Sequence, residues 1–243
     1  DVREVLLGED GVLSGAATGS VIVDMTTSEP SLAVEVSEEA LEAGVHAVDA
    51  PVSGGDVGAK NGTLSIMIGG DSDVVDALQP CWDAMGQTIV HQGPAGAGQH
   101  TKMVNQTLIA TGMIGVCEAF SLADSLNLDR KKMFDVVSTS SGYCWSMNTY
   151  CPAPGVGPNS PSDNDYRPGF SAELMLKDLE LAQSAAQNKK VSTPLGAHAK
   201  NLFSEFVTSG GAKRDLSAIF NLSSSFWLLD LIIFVKKFSG LNI

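Results

Sequence analysis

The order of apolar and polar positions divides the chain into two regimes. Up to about residue 92, short apolar runs alternate with amphipathic stretches. Residues 20–26 (SVIVDMT) are β-branched and apolar before they turn polar, which predicts a strand buried on both faces of a parallel sheet. Glu29-Pro30 then opens a predicted helix over 30–43, with Ser28 as N-cap, Pro30 in the first turn and Gly44 as its stop. Residues 45–52 read as the next strand and 63–70 (TLSIMIGG) as another. A helix over 72–85, capped by Ser72 or Asp73 and closed by Gly86, leads to a last short strand at 88–92. This order, with short connections, argues for a doubly wound α/β sheet, in which ligands bind outside the carboxyl ends of the strands. Thr27 and the Ser53-Gly54-Gly55 turn lie on that edge.

Beyond this point the strand signals stop and helical periodicity takes over. A glycine-rich turn, GPAGAG at 93–98, feeds a mostly apolar helix predicted over 97–126. At 1.5 Å per residue it is about 45 Å long, and Gly112, Gly115 and Ala119 leave room for another helix to approach. Further helices are predicted at 129–138, 170–187, 194–208 and 215–224. Between the first two of these, 140–169 is loaded with Pro, Gly, Asn and Asp and reads as a structureless loop of about thirty residues, a length often tied to function. The domain expectation is therefore an incomplete α/β part over 1–96, an all-α part over 97–225 entered through the long helix, and an apolar tail over 226–243.

Composition narrows the partners. A chain of 243 residues suits two modest domains, and 44% apolar against 18% charged residues supplies ample core. The net charge of −13 repels phosphate backbones and anionic lipid, which argues against nucleic acid. Cys81, Cys117, Cys144 and Cys151 form no C-x-x-C pair and read as free thiols in a reducing compartment. The four histidines are scattered, so no metal site is expected. Phe226 to Val235 is a ten-residue apolar run broken by Asp230, short of the ~20 residues that cross a bilayer, so no membrane span is expected. That tail is open to three readings: a membrane-surface or partner helix, a buried helix, or an unrelated tail from an altered transcript. The first fifteen residues start as if in mid-helix and without an initiating methionine, so an upstream segment is expected.

Candidate chemistry gathers at the start of the long helix. Lys102 is followed at i+3 and i+4 by Asn105 and Gln106, which share a helix face with it. An ammonium beside two carboxamides can bond an oxygen-rich small molecule. The same spacing also describes a snorkelling lysine with two solvated amides.

Four segments together decide between those readings: DMTTSEP at 24–30, DAPVSGGDVGAKNGTLSIMIGG at 49–70, GPAGAGQHTKMVNQ at 93–106 and LMLKDLELA at 174–182. They resemble the β-hydroxyacid dehydrogenase family in order and spacing. SSGYCWSMNTYCPAPGV at 140–156 looks most like its 3-hydroxyisobutyrate dehydrogenase branch. The resemblance implies an incomplete Rossmann-like α/β part followed by an all-α domain. It also implies NAD as cofactor, with NADP not excluded, and hydride transfer between it and a small 3-hydroxy acid, as in valine catabolism. By the resemblance, Lys102 is the catalytic lysine, and Ser53, Gly54 and Gly55 receive the substrate carboxylate. Asn105 and Gln106 hold the substrate oxygens, Thr27 lies beside the nicotinamide ribose, and Lys177, followed by Asp178, reaches the cofactor. Trp145 walls the pocket or anchors its loop. A homo-oligomer, dimer or tetramer, is implied too, in the mitochondrial matrix or alternatively the cytoplasm.

The family's opening strand and G-x-G-x-x-G turn have no counterpart in these 243 residues. GPAGAG at 93–98 is the one glycine-dense candidate for such a turn, although it matches a different family segment. The chain by itself is accordingly expected to bind cofactor at best in the millimolar range and to show no turnover. Two other functions stay open: a glyoxylate or succinic semialdehyde reductase of the same family, and a non-catalytic dimerisation or regulatory module.

Overall fold

A computed structural model of the chain describes residues 2–222. The tail expected over 226–243 lies outside them. Two short helices open the chain, α1 (Val2–Leu7) and α2 (Val12–Gly15). They lead into β1 (Val21–Asp24), α3 (Pro30–Glu42), β2 (His46–Asp49) and β3 (Val52–Ser53). Next come α4 (Gly55–Asn61), β4 (Leu64–Gly69), α5 (Ser72–Ala77), α6 (Gln79–Met85) and β5 (Gly86–Gly93). Helices alone follow: α7 (Ala97–Ser125), α8 (Arg130–Val137), α9 (Trp145–Asn148), α10 (Ala172–Asn188) and α11 (Pro194–Phe206). The chain forms two compact units, one up to Asn105 and the other from Gln106 on, so the first residues of α7 count with the sheet and the rest with the helices.

In the first unit the strands run in the order β1-β2-β4-β3, with β5 also on β4. β1 pairs parallel with β2, and β4 parallel with β5. β4 runs antiparallel to β2 and β3. The sheet is thus Rossmann-like but mixed, where an all-parallel one was predicted. The reversal lies in the connection through α4, after which β4 runs antiparallel to both β2 and β3 in one register, Asp49 opposite Gly69, Val52 opposite Ile66 and Ser53 opposite Ser65. Pro51, which has no N–H for a ladder, only splits the predicted strand over 45–52. Alternation along β1 is clean: Ile22 packs with Leu6, Val36 and Ala40, while Val21 and Val23 pack with the group that holds Ile66, Ile68 and Trp82. Each face of the sheet is covered.

Two caps differ from expectation. Asp71, not Ser72 or Asp73, caps α5 by accepting from the amides of Asp73 and Val74. The predicted helix over 72–85 breaks at Leu78 and restarts with Pro80 in the first turn of α6, because proline cannot continue an i→i−4 ladder. Ser28 does not cap α3; Glu29 holds the N-cap position without a side-chain bond, and Ser28 is used elsewhere.

The second unit packs Met113, Phe120, Met175, Leu179 and Phe203 into one core. The stretch at 140–169 is far from structureless. It contains α9 and a short 3-10 turn, Pro161–Asn164, and it buries Met147, Cys151, Ala153, Val156 and Tyr166. The hydroxyls of Ser160 and Ser162 both donate to the Cys151 carbonyl, at 2.8 and 2.9 Å. Asp215, fully buried, accepts from the Tyr150 hydroxyl and the amides of Gly169 and Phe170. A buried carboxylate placed this way satisfies backbone that a loop would otherwise leave to water.

All four cysteines are free, Cys81 exposed and Cys117 and Cys151 buried. Burial pushes the thiols of Cys117 and Cys151 up, away from the reactive thiolate. Titration of the native chain with a thiol reagent near pH 8 should therefore label Cys81 first, and Cys117 and Cys151 only on unfolding. Fast labelling of the two buried thiols in the folded chain would contradict this packing.

Candidate active site

The entry to α7 is the best-defined polar centre of the first unit. Asp49, 3% exposed, ends β2, and its carboxylate accepts from the amides of Gly96 at 2.7 Å and Gln99 at 2.9 Å. It is a helix cap supplied from 47 residues upstream. A side chain at Gly98 would run into the Met67 carbonyl and lie 2.8 Å from the Asp49 carbonyl, so glycine lets the helix start against the strand ends. This gives GPAGAG a structural use: the Gly96 amide, with that of Gln99 just beyond the segment, serves the protein's own carboxylate, and Gly98 serves close packing.

Lys102 lies one turn on. It is 6% exposed, and its ammonium donates to the Val52 carbonyl at 2.8 Å. The snorkelling reading of Lys102 is therefore wrong, since the side chain turns inward to the strand that ends in Ser53. Gly54 and Gly55 follow, both exposed and both at positive φ, 134° and 62°, a backbone that side chains rarely adopt. The ammonium thus sits one residue from an exposed turn whose amides no Cβ shields. Asp56, next along, is answered by Lys60 at 3.2 Å; that bond and charge hold its carboxyl below the usual range and offset a negative charge beside the turn. Asn105 is half-buried on the same helix.

At the carboxyl end of β1 the turn that carries Thr27 is held from two sides. The Asp24 carboxylate accepts from the amide and hydroxyl of Thr26, at 2.9 and 2.7 Å, and from the Ser28 hydroxyl at 3.2 Å. The side chain of Gln99 accepts from the Ser28 amide at 3.0 Å and donates to the Thr26 carbonyl at 2.8 Å. Thr27 between them is half-buried. This ordered turn lies outside the carboxyl end of a parallel strand, where open α/β sheets bind their ligands.

The second unit holds its own polar group. Gln106, 1% exposed, donates its amide to Asp178 at 2.7 Å, and Asp178 is itself 2% exposed. The Lys177 ammonium is 3.4 Å from the other carboxylate oxygen, and its side chain is 45% exposed. Trp145 is 43% exposed and stacks on Tyr150 at 4.6 Å, so it is not the buried anchor that one reading expected. Asp49, Gln99 and the Gln106–Asp178 bond were not foreseen in the sequence. A lone carboxylate in the apolar run HAVDAPV was the available signal, because a buried charge requires a partner.

Known proteins give this arrangement its context. Residues 96–223 match the family profile described as the NAD-binding region of NADP-dependent 3-hydroxyisobutyrate dehydrogenase. Residues 1–93 match that of the NAD-binding domain of 6-phosphogluconate dehydrogenase. The chain is 42% identical over 218 residues to the NAD-dependent L-serine dehydrogenase of Pseudomonas aeruginosa, covering 90% of this chain and 73% of that one. It is 40% identical to mouse mitochondrial 3-hydroxyisobutyrate dehydrogenase, covering 89% of this chain and 65% of the relative. The structure of Mycobacterium tuberculosis 3-hydroxyisobutyrate dehydrogenase with L-serine superposes with a TM-score of 0.81 at 40% identity, covering 87% of this chain and 72% of that one. Fold and matches define an NAD(P)-dependent oxidoreductase. The chain belongs to the β-hydroxyacid dehydrogenase family, and its cofactor is NAD or NADP.

The Asp49 cap carries a stability prediction. In Asp49→Asn one oxygen becomes a donor facing a backbone donor, so a buried charge-assisted bond is replaced by a clash worth about 2–3 kcal/mol. The denaturation midpoint followed by circular dichroism should fall accordingly. An unchanged midpoint would show that the helix start does not depend on this carboxylate.

Proposed function

We propose that the chain is a dehydrogenase of the 3-hydroxyisobutyrate type, which oxidises the terminal hydroxyl of a small 3-hydroxy acid to an aldehyde, 3-hydroxyisobutyrate giving methylmalonate semialdehyde. The observation that carries the reading is the Lys102 ammonium on the Val52 carbonyl, one residue before the exposed Ser53-Gly54-Gly55 turn. Ser53, Gly54 and Gly55 bind the carboxylate through backbone amides that no Cβ blocks. Lys102, uncharged, accepts the hydroxyl proton directly or through one water, and in reverse its ammonium returns it. Asn105 and Gln106 bond the substrate oxygens. Thr27 and Lys177 contact the cofactor, the roles that the family resemblance gives them. When bound, the oxidised nicotinamide supplies the hydride acceptor.

L-serine is the second substrate reading, favoured by the identity to the Pseudomonas enzyme and by the neighbour solved with L-serine. It is a 3-hydroxy acid with an ammonium where 3-hydroxyisobutyrate has a methyl, so the same carboxylate turn and lysine serve both. We further place the protein as a homo-oligomer in valine breakdown within the mitochondrial matrix, with the cytoplasm as the other setting.

In a protein that carries the family's G-x-G-x-x-G nucleotide segment ahead of these residues, Lys102→Ala should lower kcat by roughly 10²–10⁴, the usual worth of acid–base catalysis, with much less effect on KM. A loss under tenfold with the fold intact would remove the lysine from the chemistry. Carboxylate binding is checked separately: replacing the substrate carboxylate by an amide should cost far more kcat/KM than altering one methylene, because amide donors would face an uncharged group. Equal tolerance of both analogues would assign Ser53-Gly54-Gly55 no such role.

A further inference from the structure

Gln99 bonds the backbone on both sides of Thr27. It is fully buried, with its oxygen on the Ser28 amide and its nitrogen on the Thr26 carbonyl. Donor meets acceptor at each end, so only this orientation of the amide satisfies both backbone groups. Its own backbone amide is fixed by Asp49. Lys102 follows three residues later on the same helix. One side chain therefore ties the turn that bears Thr27 to the helix that bears Lys102.

We propose that Gln99 is a positioning residue for hydride transfer, which locks Thr27 and Lys102 into one body and so sets the cofactor turn against the proton-transfer group. The proposal rests on the roles given to Thr27 and Lys102 above. Reacting groups must stand within a few tenths of an ångström of the productive geometry, and a displacement of about 1 Å costs ~10²-fold in rate. Without Gln99 the turn would keep its bonds to Asp24, which fix its shape, yet lose these two bonds to α7. A polar staple that merely supported the core would need no link to Thr27, and the two ideas differ in what a substitution changes.

The test uses the full chain and three variants, Gln99→Ala, Gln99→Glu and Thr27→Ala. NAD is titrated into the millimolar range, and binding is read from the amide shifts of the 26–28 turn. A short 3-hydroxy carboxylate is titrated in parallel, and hydrogen exchange of the Ser28 amide is followed without ligand. In Gln99→Ala the Ser28 amide should exchange at least tenfold faster and NAD affinity should fall at least fivefold, while carboxylate affinity stays within twofold. Gln99→Glu supplies the conservative check. A neutral carboxyl donates to the Thr26 carbonyl and accepts from Ser28, whereas the ionised form repels that carbonyl and stands near Asp24 and Asp49, the charged groups of β1 and β2 that meet this turn; Lys102 is the cation one turn along α7. NAD affinity of Gln99→Glu should therefore approach that of the unaltered chain near pH 5.5 and fall near pH 8, a step the unaltered chain lacks. If Thr27→Ala weakens NAD binding but Gln99→Ala does not, the positioning role is overturned and the reading of Thr27 stands. If Gln99→Ala weakens NAD and carboxylate alike and Gln99→Glu recovers nothing at low pH, Gln99 is structural only and the proposal falls. If Thr27→Ala leaves NAD binding unchanged, the reading of Thr27 fails and takes the proposal with it.

Discussion

The first unit depends on one buried carboxylate. Asp49 ends a strand in the middle of the sheet, where an unpaired charge would be costly, and the helix that starts beside it has amides with no intrahelical partner. Each answers the other through two bonds of normal length. The sign is also right, since the amino end of a 29-residue helix carries partial positive charge. The glycines near the junction follow from this pairing, because a Cβ at Gly69 or Gly98 would meet Asp49 itself. Once α7 is fixed in direction, Gln99 and Lys102 are fixed with it, one reaching the β1 turn and the other the β3 carbonyl.

The same constraint sorts the glycine-rich segments by function. GPAGAG at 93–98 has the composition of a phosphate-binding turn, but its Gly96 amide is already engaged, so an anion bound there would have to displace a buried carboxylate. The Ser53-Gly54-Gly55 turn differs in exposure, since its two glycines face solvent at positive φ. Beside that turn Asp56 is answered by Lys60 and the Lys102 ammonium stands on the Val52 carbonyl, so the local charge is less negative than the net −13 of the chain. Local charge outweighs the overall balance there, because screening over about 10 Å blunts the distant acidic residues.

Much of the fold was legible from pattern alone. The apolar run at 20–26, the amphipathic stretch after Pro30 and the long helix at 97–126 match β1, α3 and α7 to within a few residues, because burial imposes the period of each element on its sequence. The breaks were not legible. Pro51 turned one predicted strand into two and Pro80 one helix into two, where a proline inside a periodic run could have been read as a stop. The stretch at 140–169 was misread for a different reason. Its backbone is satisfied by Asp215 and by serine hydroxyls rather than by a regular ladder, and such bonds leave no period in the sequence.

By itself the sequence determined the helix-forming and strand-forming segments, the free thiols and the family, since each of these is written in neighbouring residues or in motifs of fixed spacing. It also singled out Lys102, Ser53, Gly54, Gly55 and Thr27, through resemblance. Only the tertiary structure decided that Lys102 turns inward, that Asp49 caps a helix 47 residues away and that Gln99 spans Thr27. The physical reason is that a hydrogen bond requires two groups within about 3 Å, and for residues 47 to 73 apart in the chain that distance is set by packing of the whole unit.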